Sequence, residues 1–99
     1  HDLWLHARGV TGAHVVVPLS RGQSCSAETL VDAATLAAHF SDLRGEMIVD
    51  VLYTPRRFVH KRKGSPIGSV TLGSEKVIAV RVEAERLQRL LENEQKSAD

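Results

Sequence analysis

The sequence predicts an α+β fold: a small mixed or antiparallel sheet packed by an alanine-rich helix and a C-terminal helix. Three observations carry this reading. Residues 13–17 and 47–53 have strand character, the first β-branched and apolar, the second alternating. Leu30, Ala33, Ala34, Ala37 and Phe40 recur at helical spacing. Leu87, Leu90 and Leu91 mark one face of an otherwise charged tail. With 99 residues, 42% apolar and 25% charged, the chain fits one globular domain over residues 1–99. Only four aromatics are present, so the core must rest on Val, Leu, Ile and Ala.

Leu3 to His6 reads as a short strand, and the two glycines of Arg8 to Gly12 read as a turn. Ala13 to Val17 then reads as a buried strand that Pro18 ends, and the pair can form a hairpin with a turn longer than the tightest types. Ser26 is a helix cap, with Glu28 in the first turn where the helix dipole favours a carboxylate. Small alanines let this helix lie close against a sheet, and Gly45 is its expected stop. Met47, Val49, Val51 and Tyr53 share one face of the next strand, and Ile48, Asp50 and Leu52 the other. Both faces are then mostly covered, and Thr54-Pro55 breaks the strand. Val70 to Leu72 and Lys76 to Val82 read as two strands joined by Gly73-Ser74, and Glu83 to Gln95 as the last helix. The expected order is β-β-α-β-β-β-α.

Several function classes are bounded by counting. A single cysteine, Cys25, excludes an internal disulfide and a four-cysteine zinc site, and fits a reducing, cytoplasmic setting. No apolar run approaches the about 18 residues of a membrane span, so no membrane partner is expected. The chain opens on His1 with a strand at once and closes on a polar stretch, which reads as a cut left end and a natural right end.

Net charge is only +1, but its distribution is uneven. Residues 1–53 carry six acids and three Lys or Arg, whereas residues 54–63 carry five Lys or Arg and no acid. Arg56, Arg57, Lys61, Arg62 and Lys63, with His60 among them, would repel one another unless spread or neutralised. RNA phosphates neutralise such segments and release condensed counterions. A solubilising surface is the plain alternative. Phe58 and Val59 read as apolar anchors of this segment, with base stacking by Phe58 as the other possibility.

A second constellation is Trp4, His6, Arg8 and His14, either an RNA-contacting surface or a structural hairpin. Trp4 and His6 share a face by strand parity, and His14 can face them from the partner strand. Metal binding would need a third ligand, from Asp2 or Cys25, and no recognised ligand spacing is present. A catalytic His–Cys pair has nothing to bring it together. Residues 64–68 lack the phosphate-loop pattern, and their glycines suit unusual backbone angles or close approach of an RNA backbone. Asp50 reads either as a buried functional carboxylate or as an edge or sheet-end residue.

These blocks, taken in series, resemble a known family. Asp2-Leu3-Trp4-Leu5-His6 and Gly12-Ala13-His14-Val15-Val16 are similar to the D-x-W-x-H and Gly-Ser-His-Val steps of the NFACT-R domain. The likeness continues in the alanine-rich Ala33 to Ser41, in Val51 to Thr54 and in Lys61 to Val70, covering about residues 1–82 in order. The resemblance implies an RNA-binding module of RqcH- and NEMF-type NFACT proteins, whose bacterial members carry the older label of fibronectin-binding proteins. Such proteins engage large ribosomal subunits obstructed by peptidyl-tRNA and direct C-terminal tailing, with alanine in bacteria. The expected partners are therefore tRNA or large-subunit rRNA, the large ribosomal subunit and the parent protein's other domains. The ribosome makes the peptide bond, so neither catalysis nor a cofactor is expected of this domain.

Two departures stand out. The family's earlier strand pair, with its G-R-N step, is absent, which leaves one sheet edge incomplete or completed by another chain. Ala13 replaces the family's serine and removes one hydroxyl. The rival functions are a protein-interaction or homodimerising module, through Leu87, Leu90 and Leu91 or a sheet edge, and a metal-dependent enzyme acting on RNA through Asp2, His6 and His14.

Overall fold

Alternation along the first strand decides where the core sits. Leu3, Leu5 and Ala7 point to one face of β1 (Leu3–Ala7), and Leu5 and Ala7 are fully buried. The computed structural model describes residues 1–61, 70–72 and 75–98. After β1 come β2 (Val15–Val17), α1 (Ala27–His39), β3 (Ile48–Pro55), a 3-10 turn (Arg56–Phe58) and β4 (Val59–Lys61). Then follow β5 (Val70–Leu72), β6 (Lys76–Arg81) and α2 (Ala84–Ala98). The main sheet is antiparallel with order β2-β1-β3-β6, and β4 pairs with β5 in a separate ribbon.

Helix α1 forms where its alanines and cap require. The Ser26 hydroxyl accepts from the Thr29 amide at 3.1 Å, satisfying one orphan donor of the first turn. Ala33, Ala34, Ala37 and Ala38 are buried against Leu5, Ala7, Val49, Val51 and Val80. Burying a residue such as Leu5 contributes about 1.5–3 kcal/mol. Thr35, also fully buried, satisfies its hydroxyl by donating to the Val31 carbonyl at 2.8 Å. Helix α2 is joined to α1 by a fork: Arg86 and Arg89 donate to one Asp32 oxygen at 2.6 and 3.1 Å. The Asp32 hydrogen bond, the largest influence, raises the Arg86 guanidinium above its ordinary value.

The α+β class and both helices are as the sequence indicates, and several details differ. Helix α1 ends at His39 rather than at Gly45, which instead takes a positive φ of 97° in the turn that follows. β2 is two residues shorter than expected and half-buried at the sheet edge, because Gly12 bridges to Ser41 rather than continuing the hairpin. β3 runs through Thr54 to Pro55, since proline's fixed φ suits the end of a strand that turns at once. Val70–Leu72 and Lys76–Arg81 are both strands but do not pair: β5 joins β4, and β6 joins β3. Part of the basic segment is therefore itself a strand. Finally, the even-numbered face of β3 is covered only in part: Thr54 is buried and Leu52 half-buried, but its other end is open. Val49 and Val51 are buried, whereas Ile48 and Asp50 are exposed, so Asp50 is neither buried nor at an edge.

Gly12 matters through space rather than through φ. A methyl there would stand 2.7 Å from the Ser41 Cα and 2.9 Å from the Phe40 oxygen. Gly12→Ala is expected to lower unfolding free energy by about 1–3 kcal/mol, read from urea unfolding; an unchanged midpoint would show that the close approach is dispensable. Ala34→Leu should cost at least about as much, because the helix would have to lift off the sheet; a higher melting temperature would contradict this packing.

Candidate nucleic-acid interface

The basic segment is placed by the register of β1 on β3. Leu3 pairs with Pro55 and Trp4 with Thr54, so the chain leaves the sheet beside Asp2. The Arg56 amide donates to the Asp2 carbonyl at 2.7 Å, and its guanidinium stands 3.8 Å from the Asp2 carboxylate. Arg56 nevertheless keeps 64% of its side chain exposed. Exposed ion pairs of this kind contribute little to stability and exchange readily for another anion. Arg57 is exposed, with its guanidinium 4.8 Å from the centre of the half-buried Phe58 ring. Phe58 stands outside the main apolar cluster, so it anchors the turn locally rather than the core. His60 and Lys61 lie on β4, opposite Thr71 and Val70. Arg62, Lys63 and the glycine loop at 64–68 lie outside the described residues.

The second constellation lies on the face of the sheet opposite α1. Trp4 and His6 rings are parallel within 7° with centroids 5.6 Å apart, and His14 lies 6.3 Å from Trp4. Trp4 is only 6% exposed, His6 is half-buried, and Arg8 and His14 are exposed. His6 is turned to the backbone: Nδ1 lies 2.7 Å from the Ala7 oxygen and Nε2 3.1 Å from the Gly12 oxygen. Trp4 and His6 thus hold the β1–β2 connection, and Arg8 and His14 are the members a ligand can reach. The two sets share a face of the sheet but lie toward opposite ends of β1: Arg56 stands beside Asp2 at its start, whereas Arg8 follows Ala7 and its amide donates to the Asp50 carbonyl. Neither spacing nor composition alone reveals that shared face.

This geometry gives the rival chemistries little support. Both His6 nitrogens face carbonyl oxygens rather than a common point with His14, and no metal-holding group of three His, Cys, Asp or Glu occurs among the described residues. Burial pushes the Cys25 thiol up, away from the thiolate a nucleophile needs. No helix among the described residues is long and apolar enough to cross a membrane.

One feature escaped the sequence reading. The face of β3 and β6 away from α1 carries Ile48, Leu52, Val77 and Ala79, with Arg81 at its end. The alternation of β3 points to it, but sequence alone does not separate an open, mostly apolar face from a covered one.

The chain matches the family model described as the NFACT protein RNA binding domain over residues 1–74. It is 36% identical over 89 residues to the Rqc2 homolog RqcH of Bacillus subtilis, covering 90% of this chain and 15% of that protein. It is 37% identical over 79 residues to the Rqc2 homolog RqcH of Streptococcus suis, covering 80% of this chain and 14% of that one. The C-terminal part of the fibronectin/fibrinogen-binding protein from Streptococcus suis superposes with a TM-score of 0.78 at 33% identity. That superposition covers 89% of this chain and 34% of the other. The chain thus spans about one seventh of these curated relatives. By the family match over three quarters of its length, it belongs to the NFACT RNA-binding domain family.

Proposed function

We propose that this chain is the RNA-binding module of a ribosome-associated quality-control factor and carries no catalytic activity of its own. The observation that carries the reading is the acid-free basic block from Arg56 to Lys63, which begins where the chain leaves the sheet with Arg56 and Arg57 exposed. Arg56, Arg57, Lys61, Arg62 and Lys63 take phosphates, and His60 adds charge when protonated. Arg8 and His14 extend the contact, and Trp4 and His6 position them.

The RNA is tRNA or large-subunit rRNA. In the parent protein the module helps to engage obstructed large ribosomal subunits in the cytoplasm and supports alanine tailing. The names of the similar proteins and the family description support this reading. Leu87 and Leu91 line a shallow open groove on α2, which favours a protein-interaction module as the second reading. That reading requires a mass that rises with concentration and no salt-sensitive RNA binding.

Anisotropy of labelled tRNA across a salt series tests the proposal. The log–log slope should lie at about −2 to −4 for the unsubstituted chain. With alanine at Arg56, Arg57, Lys61, Arg62 and Lys63, affinity should fall by roughly tenfold or more and the slope should flatten. Equal affinity in a folded variant would refute the assignment.

A further inference from the structure

The open part of the face of β3 and β6 away from α1 is a feature that the fold does not use. Ile48 is 60% exposed and Val77 46%, and both are large apolar side chains. The register sets Leu52 beside Val77 and Asp50 beside Ala79, with His6 across from Leu52 on the other side. Isolated exposed apolar residues are ordinary, but a contiguous strip across two strands marks a binding surface. Asp50 lies within the strip, and its carboxylate has no partner among the described residues.

That carboxylate constrains the occupant. An apolar protein surface laid over the strip would strand an unpaired charge, which is costly. The occupant must be flat and apolar yet bring its own N–H donors. Around the strip stand Arg8, Arg81 and, beyond Trp4, Arg56, so the occupant is also anionic. Unpaired nucleobases on a phosphate backbone meet all three requirements, whereas duplex RNA hides its base faces.

We propose that the open face of β3 and β6 seats unpaired RNA bases, with Leu52 and Val77 as the floor and Asp50 accepting from a base amino group. The inference rests on the RNA-binding reading above and adds a preference. Cytosine, adenine and guanine offer exocyclic amino donors, whereas uracil flanks its one N–H with two carbonyl oxygens that a carboxylate repels. The basic segment supplies the sequence-independent attraction, and the strip selects single strands.

The test measures anisotropy of short oligocytidine, oligouridine and an RNA duplex against the 99-residue chain. The variants are Leu52→Thr with Val77→Thr, Asp50→Asn and the five-alanine basic variant. Threonine is neutral and strand-compatible, so the phosphate contribution is untouched. The double variant should lose roughly tenfold on single strands, with duplex affinity and salt slope unchanged. The unsubstituted chain should prefer oligocytidine by roughly fivefold or more, and Asp50→Asn should move that ratio toward one. Full single-strand affinity in the double variant, while the basic variant loses it, overturns the strip and leaves the RNA-binding reading intact. Equal affinity for the two oligomers, unchanged by Asp50→Asn, overturns the carboxylate's role. Salt-insensitive or absent binding by the unsubstituted chain overturns both readings. Amide shifts of Asp50, Leu52 and Val77 on adding oligocytidine to the unsubstituted chain give an answer independent of variant folding: shifts support the strip, and their absence overturns it.

Discussion

The close approach of one alanine-rich helix to one face of the sheet is the constraint on which the structure depends. Ala33, Ala34, Ala37 and Ala38 are small enough for the backbone of α1 to lie near Leu5, Ala7, Val49 and Val51. Nothing larger would fit without lifting the helix. Because few aromatics are present, this layer supplies most of the interior. It also fixes an asymmetry. One helix covers one face of a four-stranded sheet, and α2 adds to the same side by gripping Asp32 of α1. The opposite face is left to Trp4, the histidines and the exposed strip, so packing on one side determines what is offered on the other.

Local signals gave much of this architecture. The Ser26 cap, the alanine spacing and the leucines of the tail located both helices, since each depends on neighbours within a few residues. Strands were legible too, except β4 within the basic segment, but strand pairing was not. Val70–Leu72 and Lys76–Arg81 follow closely in sequence, yet β5 joins β4 and β6 joins β3. Pairing is a long-range property that alternation cannot report. The end of α1 was misplaced for a related reason. Gly45 carries the positive φ of a stop signal, but Ser41 bridges to Gly12 first and ends the helix near His39.

The candidate site was half legible. Charge clustering needs no structure, so the basic block stood out at once. The burial of Trp4 did not: it lies against two imidazole rings at 6% exposure, which strand parity does not report. Asp50 shows the limit most clearly. A lone acid among apolar residues reads as buried or marginal, and only the partial cover of its face of β3 makes it central and exposed. The link between Asp2 and Arg56 joins the start of β1 to the end of β3 and could not be read from either segment alone.

The stacking of Arg57 on Phe58 has a further consequence. A free arginine on a surface samples many rotamers, and fixing it on a ligand forfeits up to about 2 kcal/mol of side-chain entropy. An arginine already resting on a ring has given up part of that freedom before any anion arrives. Its guanidinium is also less hydrated than an ammonium, so little water must be shed. Two residues of equal formal charge in this segment are therefore unequal as ligands: position 57 is preorganised by its neighbour, and lysine there would keep the charge while losing the planar seat.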